Sequence, residues 1–248
     1  MYKRQFQITY PYTFHAEPGD PFPNLVAHNR KQCGSALYAF HNIAGALGVE
    51  GPTTQLIAGW ERARRRPFDL GTVHDGGGEA RFVEGIGGGL IASGIAAMDA
   101  DPAAADEALG AKLARAVRCY RETLARLEAV PWVLTLDGRR TEGDYLLVEV
   151  LNICSVGPNL VLADGADPSD GSFDVVTARE EDRAELDRFL RRRLEGGEGR
   201  LALPTRRARS IEIEGGWEHV HLDDQVRAGA GARTLSIRVE PATLELLV

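Results

Sequence analysis

The sequence predicts an α+β fold, a β-sandwich-like domain with helical excursions. Short β-prone runs punctuated by Gly, Pro and Asp recur from residue 66 to the C-terminus. Two long stretches, near 101–131 and 179–197, place apolar residues at helical spacing. No internal repeat organises the chain, and many short strands with few helices fit a sandwich or barrel better than a bundle.

Composition sets the outer bounds. The 248 residues are 44% hydrophobic and 26% charged, enough to bury a core without staples. A formal net charge of -7 argues against a nucleic-acid binder, which normally carries a basic excess. Cys33, Cys119 and Cys154 form no CxxC pair and suit a reducing compartment. No apolar run approaches the roughly 18 residues of a membrane span, and "MYKRQFQITYPYTFH" lacks the apolar core of a signal peptide. The expectation is a soluble, cytoplasmic protein.

Residues 1–40 hold no period for long and are broken by Pro11, Pro18, Gly19, Pro21 and Pro23, so a poorly ordered or non-native leader is expected there. "HNIAGALGV" then reads as a short helix ended by Gly48, and "TTQLIAGWERARR" as a second stopped by Pro67. "RPFDLGTV" and "ARFVEGIGG" read as two strands joined by the turn "HDGGG". In the 101–131 helix, Asp101 caps the start, Pro102 takes the first helical position and Pro131 marks the end. Leu109, Leu113, Val117, Tyr120, Leu124 and Leu127 form its apolar stripe.

Strands resume at "WVLTLDG", turn through "RRTEG" and return as "DYLLVEVLNI". After "GPNLVLADGADPSDGSFDVVTA", Thr177 is expected to cap a helix whose inward face is Leu186, Phe189, Leu190 and Leu194. The chain closes in the short strands "RSIEIEG", "EHVHLDD", "RTLSIRVE" and "ATLELLV".

Three stretches, in this order, resemble the diacylglycerol kinase catalytic-domain family of bacterial lipid kinases, within the NAD kinase-like superfamily. "NIAGALGV" is similar to the end of the family's GTxND segment, and "FDLGTV…ARFVEGIGGGLIA" to its "iDlg.v … f.n..s.Gf.a" strand pair. "VEVLNICSVGPNLVLADGADPSDGSFDVV" is similar to its "v.N….GG.. l.P.A...DG.ldvv" signature, the most specific of the three. The resemblance covers about residues 42–248. It implies a remnant of an α/β nucleotide-binding domain over 41–66 and a β-rich lipid-kinase C-terminal domain over 67–248. It also implies ATP- and Mg-dependent phosphorylation of a lipid hydroxyl at a membrane surface, by a protein peripheral to the membrane.

The departures bear on activity. No GGDGT occurs in the sequence, Tyr38 and Ala39 replace the glycine and threonine of GTxND, and Asn42 stands at its aspartate. The closing DGE motif, whose glutamate the family resemblance assigns to deprotonating the lipid hydroxyl, reads Asp223, Asp224, Gln225. A neutral amide cannot take a proton near pH 7. With no glycine-rich cradle to supply amides to the phosphates, the chain alone is expected to be an inactive fragment of a kinase. The implied site is Asp223, Asp224 and Gln225 at the catalytic turn and Asn42 near the nucleotide. A structural Mg²⁺ falls to Asp170 with Asp167 and Ser172, against which stands a simple Asp-Gly turn.

Two rival functions follow from residues alone. Gln225 suits a catalytically inactive lipid-binding or regulatory module on the same fold. "HVHLDD" approaches the HxHxDH spelling of metal-dependent hydrolases, with His219, His221 and Asp223 alternating on a strand, but no histidine follows His221. "GIGGGLIASG" lacks a clear strand–loop–helix setting for a dinucleotide fingerprint, and the arginine runs at 62–66, 191–193 and 206–209 read first as solvated faces. Asp69 and Asn152, although at family positions, read equally as residues that close strand ends.

Overall fold

The computed structural model describes residues 42–49, 51, 58–59, 62–100, 109–197, 201–215, 217–228 and 233–248. The leader expected over 1–40, the Asp101 cap with Pro102, and most of the helix expected from Thr53 lie outside these residues.

Two six-stranded antiparallel sheets stack face to face. The first is ordered β2-β1-β14-β11-β4-β5, from Glu79–Phe82, Arg65–His74, Arg233–Leu247, Ser210–Gly215, Val130–Leu136 and Arg139–Tyr145. The second is ordered β10-β9-β6-β3-β12-β13, from Thr205–Ala208, Phe173–Ala178, Leu147–Leu151, Gly85–Gly89, His219–Leu222 and Gln225–Ala228. A small pair, β7 (Ser155–Val156) and β8 (Leu160–Val161), sits apart from both. Between the sheets lies one apolar core, with Val73, Phe82, Trp132, Leu134, Ile211 and Ile237 from the first and Ile86, Val148, Val150, Phe173, Val220 and Leu222 from the second. This is the sandwich the sequence predicts.

The helices α1 (Leu90–Ala100), α2 (Leu109–Arg126) and α3 (Arg183–Leu194) share a second core with the other face of the second sheet. Ile91, Ile95, Tyr120, Leu124, Phe189 and Leu190 meet Leu147, Leu151 and Val176 there. Every residue of β6 is therefore buried, on whichever face it points. That explains a run such as "LVEVL", which shows little alternation.

Several boundaries differ from the expected ones, each for a local reason. "ARFVEGIGG" is not one strand: β2 pairs with β1 in the first sheet, and after Val83 and Glu84 the chain enters the second sheet as β3. β3 then runs straight into α1, so a strand–helix unit does surround the glycines. They line no phosphate, because β3 is hydrogen-bonded along its length to β6 and for three residues to β12. α1 escaped sequence reading because its sheet-facing and helix-facing sides are both buried, leaving no amphipathic stripe.

α2 ends at Arg126, and Pro131 belongs to β4. The next turn is not "RRTEG", which forms most of β5, but Asp137-Gly138, with φ of 46° and 82°. Two consecutive positive φ values make the two-residue hairpin loop that Asp-Gly favours. Thr177 lies inside β9 and caps nothing. The Asp182 carboxylate accepts the Arg179 N–H at 2.8 Å and closes the 3-10 turn Glu180–Asp182 that leads into α3. The last two expected strands are one, β14, kept continuous through Pro241 by pairing with β1 around a register shift near Phe68–Leu70.

Candidate active site

The corner at Val83-Glu84, where the chain changes sheets, exposes backbone N–H groups that no strand partner can reach. The β12–β13 hairpin supplies the acceptor. Its two-residue loop is Asp223-Asp224, with Leu222 paired to Gln225 and Asp223 at φ 52°. The Asp223 N–H donates to the Gly85 carbonyl at 2.8 Å, extending the β3–β12 ladder into the turn. The Asp223 carboxylate in return accepts the N–H groups of Val83 (3.1 Å), Glu84 (2.8 Å) and Gly85 (3.2 Å). This is a charge-assisted clamp on three amides, two of them buried.

Behind the turn, a row of three residues crosses the second sheet, with Gly87 of β3 paired to Glu149 of β6 on one side and to His221 of β12 on the other. Residues two strands apart do not normally touch. A Cβ on Gly87 would lie 2.3 Å from Glu149 Cδ, so the glycine leaves the gap through which the two side chains meet. His221 Nε2 and Glu149 Oε2 are 2.7 Å apart, and His221 Nδ1 donates to the Asp223 carbonyl at 2.8 Å. Both side chains are fully buried.

Burial pushes the Glu149 carboxyl up. Burial alone would push His221 down, but the Glu149 carboxylate beside it raises the imidazole above its ordinary value. The pair therefore holds one proton between Nε2 and Oε2 and is neutral as a unit. Both His221 nitrogens are occupied, which leaves no lone pair for zinc. Among the described residues no group of three His, Cys, Asp or Glu side chains could hold a metal ion.

In front of the turn lies the residue that sequence reading passed over. Glu84 is 2% exposed, and its carboxyl is raised to about 8, first by burial and then by the negative charge of Asp223, with a smaller contribution from Asp224. Asn42 lowers it by a hydrogen bond. Asn42, 1% exposed, sits in the helical turn over 42–46 and also donates from Nδ2 to the Gly157 carbonyl at 3.2 Å. Glu84 Oε1 and Asn42 Oδ1 are buried acceptors with no hydrogen-bond partner among the described residues. At the far end of α1, Asp99 is raised by burial and by Asp224. Asn42, Asp223 and Asp224 thus gather around Glu84. Glu84 joins them from the position where the "f.n..s.Gf.a" pattern writes asparagine, which was the available signal. Gln225 follows in β13, half-buried.

Asp167, Asp170 and Ser172 form a separate group on the β8–β9 loop. Asp170 accepts the Ser172 N–H (3.0 Å) and hydroxyl (2.7 Å), and Arg207 of β10 pairs with its other oxygen. Asp167 accepts the Ser169 N–H at 3.0 Å and its hydroxyl at 2.6 Å, and pairs with Arg66 at 3.0 Å. These are two successive Asx turns with arginine counter-charges. A guanidinium already neutralises the carboxylate proposed as a Mg²⁺ ligand, so the donor set as it stands does not fit a hard divalent ion. Asn152 closes the end of β6, whereas Asp69 lies within β1 at its register shift against β14. Asp69 accepts the N–H groups of Gly171 and Ala242, both at 2.7 Å, and Asn152 donates to the Asp69 and Val83 carbonyls, both at 2.9 Å.

Residues 89–248 match the family model described as the YegS C-terminal NAD kinase beta sandwich-like domain. A protein named diacylglycerol kinase, in each of two strains of Mycobacterium tuberculosis, is 26% identical over 194 residues, covering 77% of this chain. The chain spans 59% of the length of these relatives. A solved diacylglycerol kinase structure from Bacillus anthracis superposes with a TM-score of 0.58 at 17% identity, over 83% of this chain and 64% of that one, and so shares the fold.

Proposed function

This chain belongs to the family of YegS C-terminal NAD kinase beta sandwich-like domains, and on that premise we propose that it serves a diacylglycerol-kinase-like lipid kinase. The reaction is transfer of the terminal phosphoryl group of ATP, with Mg²⁺, to a lipid hydroxyl at a membrane surface. Residues 67–248 act as the lipid-binding, β-rich half, and 41–66 as the edge of the nucleotide-binding half that carries Asn42. The carrying observation is the clamped turn: Asp223 fixes the Val83–Gly85 corner, and around it Asn42, Glu84 and Asp224 converge. Such fixed polar groups suit a reaction whose catalysis is mostly positioning and charge stabilisation. The Asp223 oxygens are already engaged by backbone, so its part is to hold the turn. No helix among the described residues is long and apolar enough to cross a membrane.

A second reading is favoured by Gln225, a neutral amide where the family resemblance calls for a carboxylate: a lipid-binding or regulatory module without catalysis. One experiment separates the two. The full chain is incubated with γ-labelled ATP, Mg²⁺ and diacylglycerol in mixed vesicles, and labelled phospholipid is counted beside vesicle co-sedimentation. Labelled product supports the kinase, co-sedimentation without product supports the binding module, and absence of both removes the lipid reading.

A further inference from the structure

We propose that the Glu84 carboxylate is the proton acceptor of this site, standing in for the one that the closing turn lacks at Gln225. The inference rests on the lipid-kinase reading above and adds the residue that would do its acid–base step. Of the three turn residues, Asp223 has its oxygens on three backbone amides, Gln225 cannot accept a proton, and Asp224 is half-exposed, where water competes for its oxygens. Glu84 stands beside Asp223 and Asp224 on the opposing strand corner. The ladder that pairs Leu222 with Ile86 and returns the Asp223 N–H to Gly85 runs the turn alongside it.

Glu84 and Asn42 also present two adjacent buried acceptors that no described donor satisfies. Orphaned buried acceptors are costly, and a substrate hydroxyl donating to Glu84 would relieve one of them. The groups facing Glu84 are Asp223, Asp224, Asn42 and, more weakly, His221. Their balance, with burial, raises the carboxyl to about 8, so its ionised form, a far stronger base than an ordinary glutamate, accumulates as pH approaches 8. In the step itself the substrate O–H bond breaks and its proton goes to Glu84. The freed oxygen bonds to the terminal phosphorus of the nucleoside triphosphate, and the bond from that phosphorus to the diphosphate leaving group breaks.

The test uses four full-length variants, Glu84→Gln, Gln225→Glu, the double variant and Asp224→Asn, in the γ-label transfer assay, with folding checked by circular dichroism. Glu84→Gln is expected to lower kcat by about a hundredfold or more with little change in nucleotide KM. The double variant is expected to recover activity, and its rate to rise at lower pH than that of the wild type. Retention of the wild-type rate by Glu84→Gln overturns the proposal, as does loss confined to Asp224→Asn. An inactive wild type with an active Gln225→Glu variant also overturns it while leaving the kinase reading intact. Inactivity of both, in a chain without the glycine-rich cradle, overturns the proposal for this chain and leaves the lipid-binding module as its reading.

Discussion

Asp223 shows how one side chain can serve a fold and a site together. Its backbone takes a positive φ that few non-glycine residues adopt, and the carboxylate compensates by accepting three amides of the Val83–Gly85 corner. Asp223→Ala leaves those amides, two of them buried, unpaired, and is expected to cost on the order of 3 kcal/mol in urea unfolding. Asp224→Ala, one residue on, should cost less than a third of that. Equal losses would mean that the carboxylate clamp does not hold the turn. Sequence placed Asp223 and Asp224 at the site by resemblance alone. It could not tell that only Asp224 keeps its carboxylate off the backbone, because that depends on a corner 139 positions away from Asp223.

Among the elements, β3 is the one whose composition misleads most. "GIGGG" suggests a loop or a nucleotide fingerprint, yet it is a central strand held between β6 and β12. Its glycines are vacancies that neighbouring strands fill: Glu149 and His221 close over Gly87 on the helix side, and a Cβ on Gly88 would lie 2.6 Å from the Trp132 ring. Gly87→Ala is expected to force Glu149 and His221 apart and leave a buried acid and imidazole without each other. Breaking such a pair costs about 3–5 kcal/mol. The measured drop should shrink when Glu149 and His221 are both already leucine. If the glycine substitution costs the same in both backgrounds, the bridge is not what the glycine protects.

The arginine runs, considered as elements, are largely neutralised where they stand. Arg191 pairs with Asp187, Arg192 with Glu185 and Arg207 with Asp170. They therefore read as solvated faces, as their spacing along the chain suggested.

At the scale of the whole molecule, buried carboxyls tie stability to pH. Glu84 has an unfolded value near 4.5 and a folded value of about 8, so the folded chain binds the extra proton between them. Its contribution to stability is full below pH 4.5 and is lost as pH rises through 8, a loss of several kcal/mol in order of magnitude. Urea midpoints of the wild type should therefore fall between pH 5 and 9 by more than those of Glu84→Gln. A parallel decline in both proteins would place the titrating group elsewhere.

By itself, the sequence determined the class of the fold, most of its strands, the inward faces of α2 and α3, and the kinase-like order of three motifs. Each of these is written in local periodicity, turn chemistry or short spacings. It did not determine that one β-prone run would split between two sheets at Glu84, that "LVEVL" would hide a glutamate against a histidine two strands away, or that arginines would occupy the aspartates of the β8–β9 loop. Those outcomes depend on which strands become neighbours and which faces are covered twice. That is settled by burying two cores on opposite sides of one sheet, and only the tertiary structure decides it.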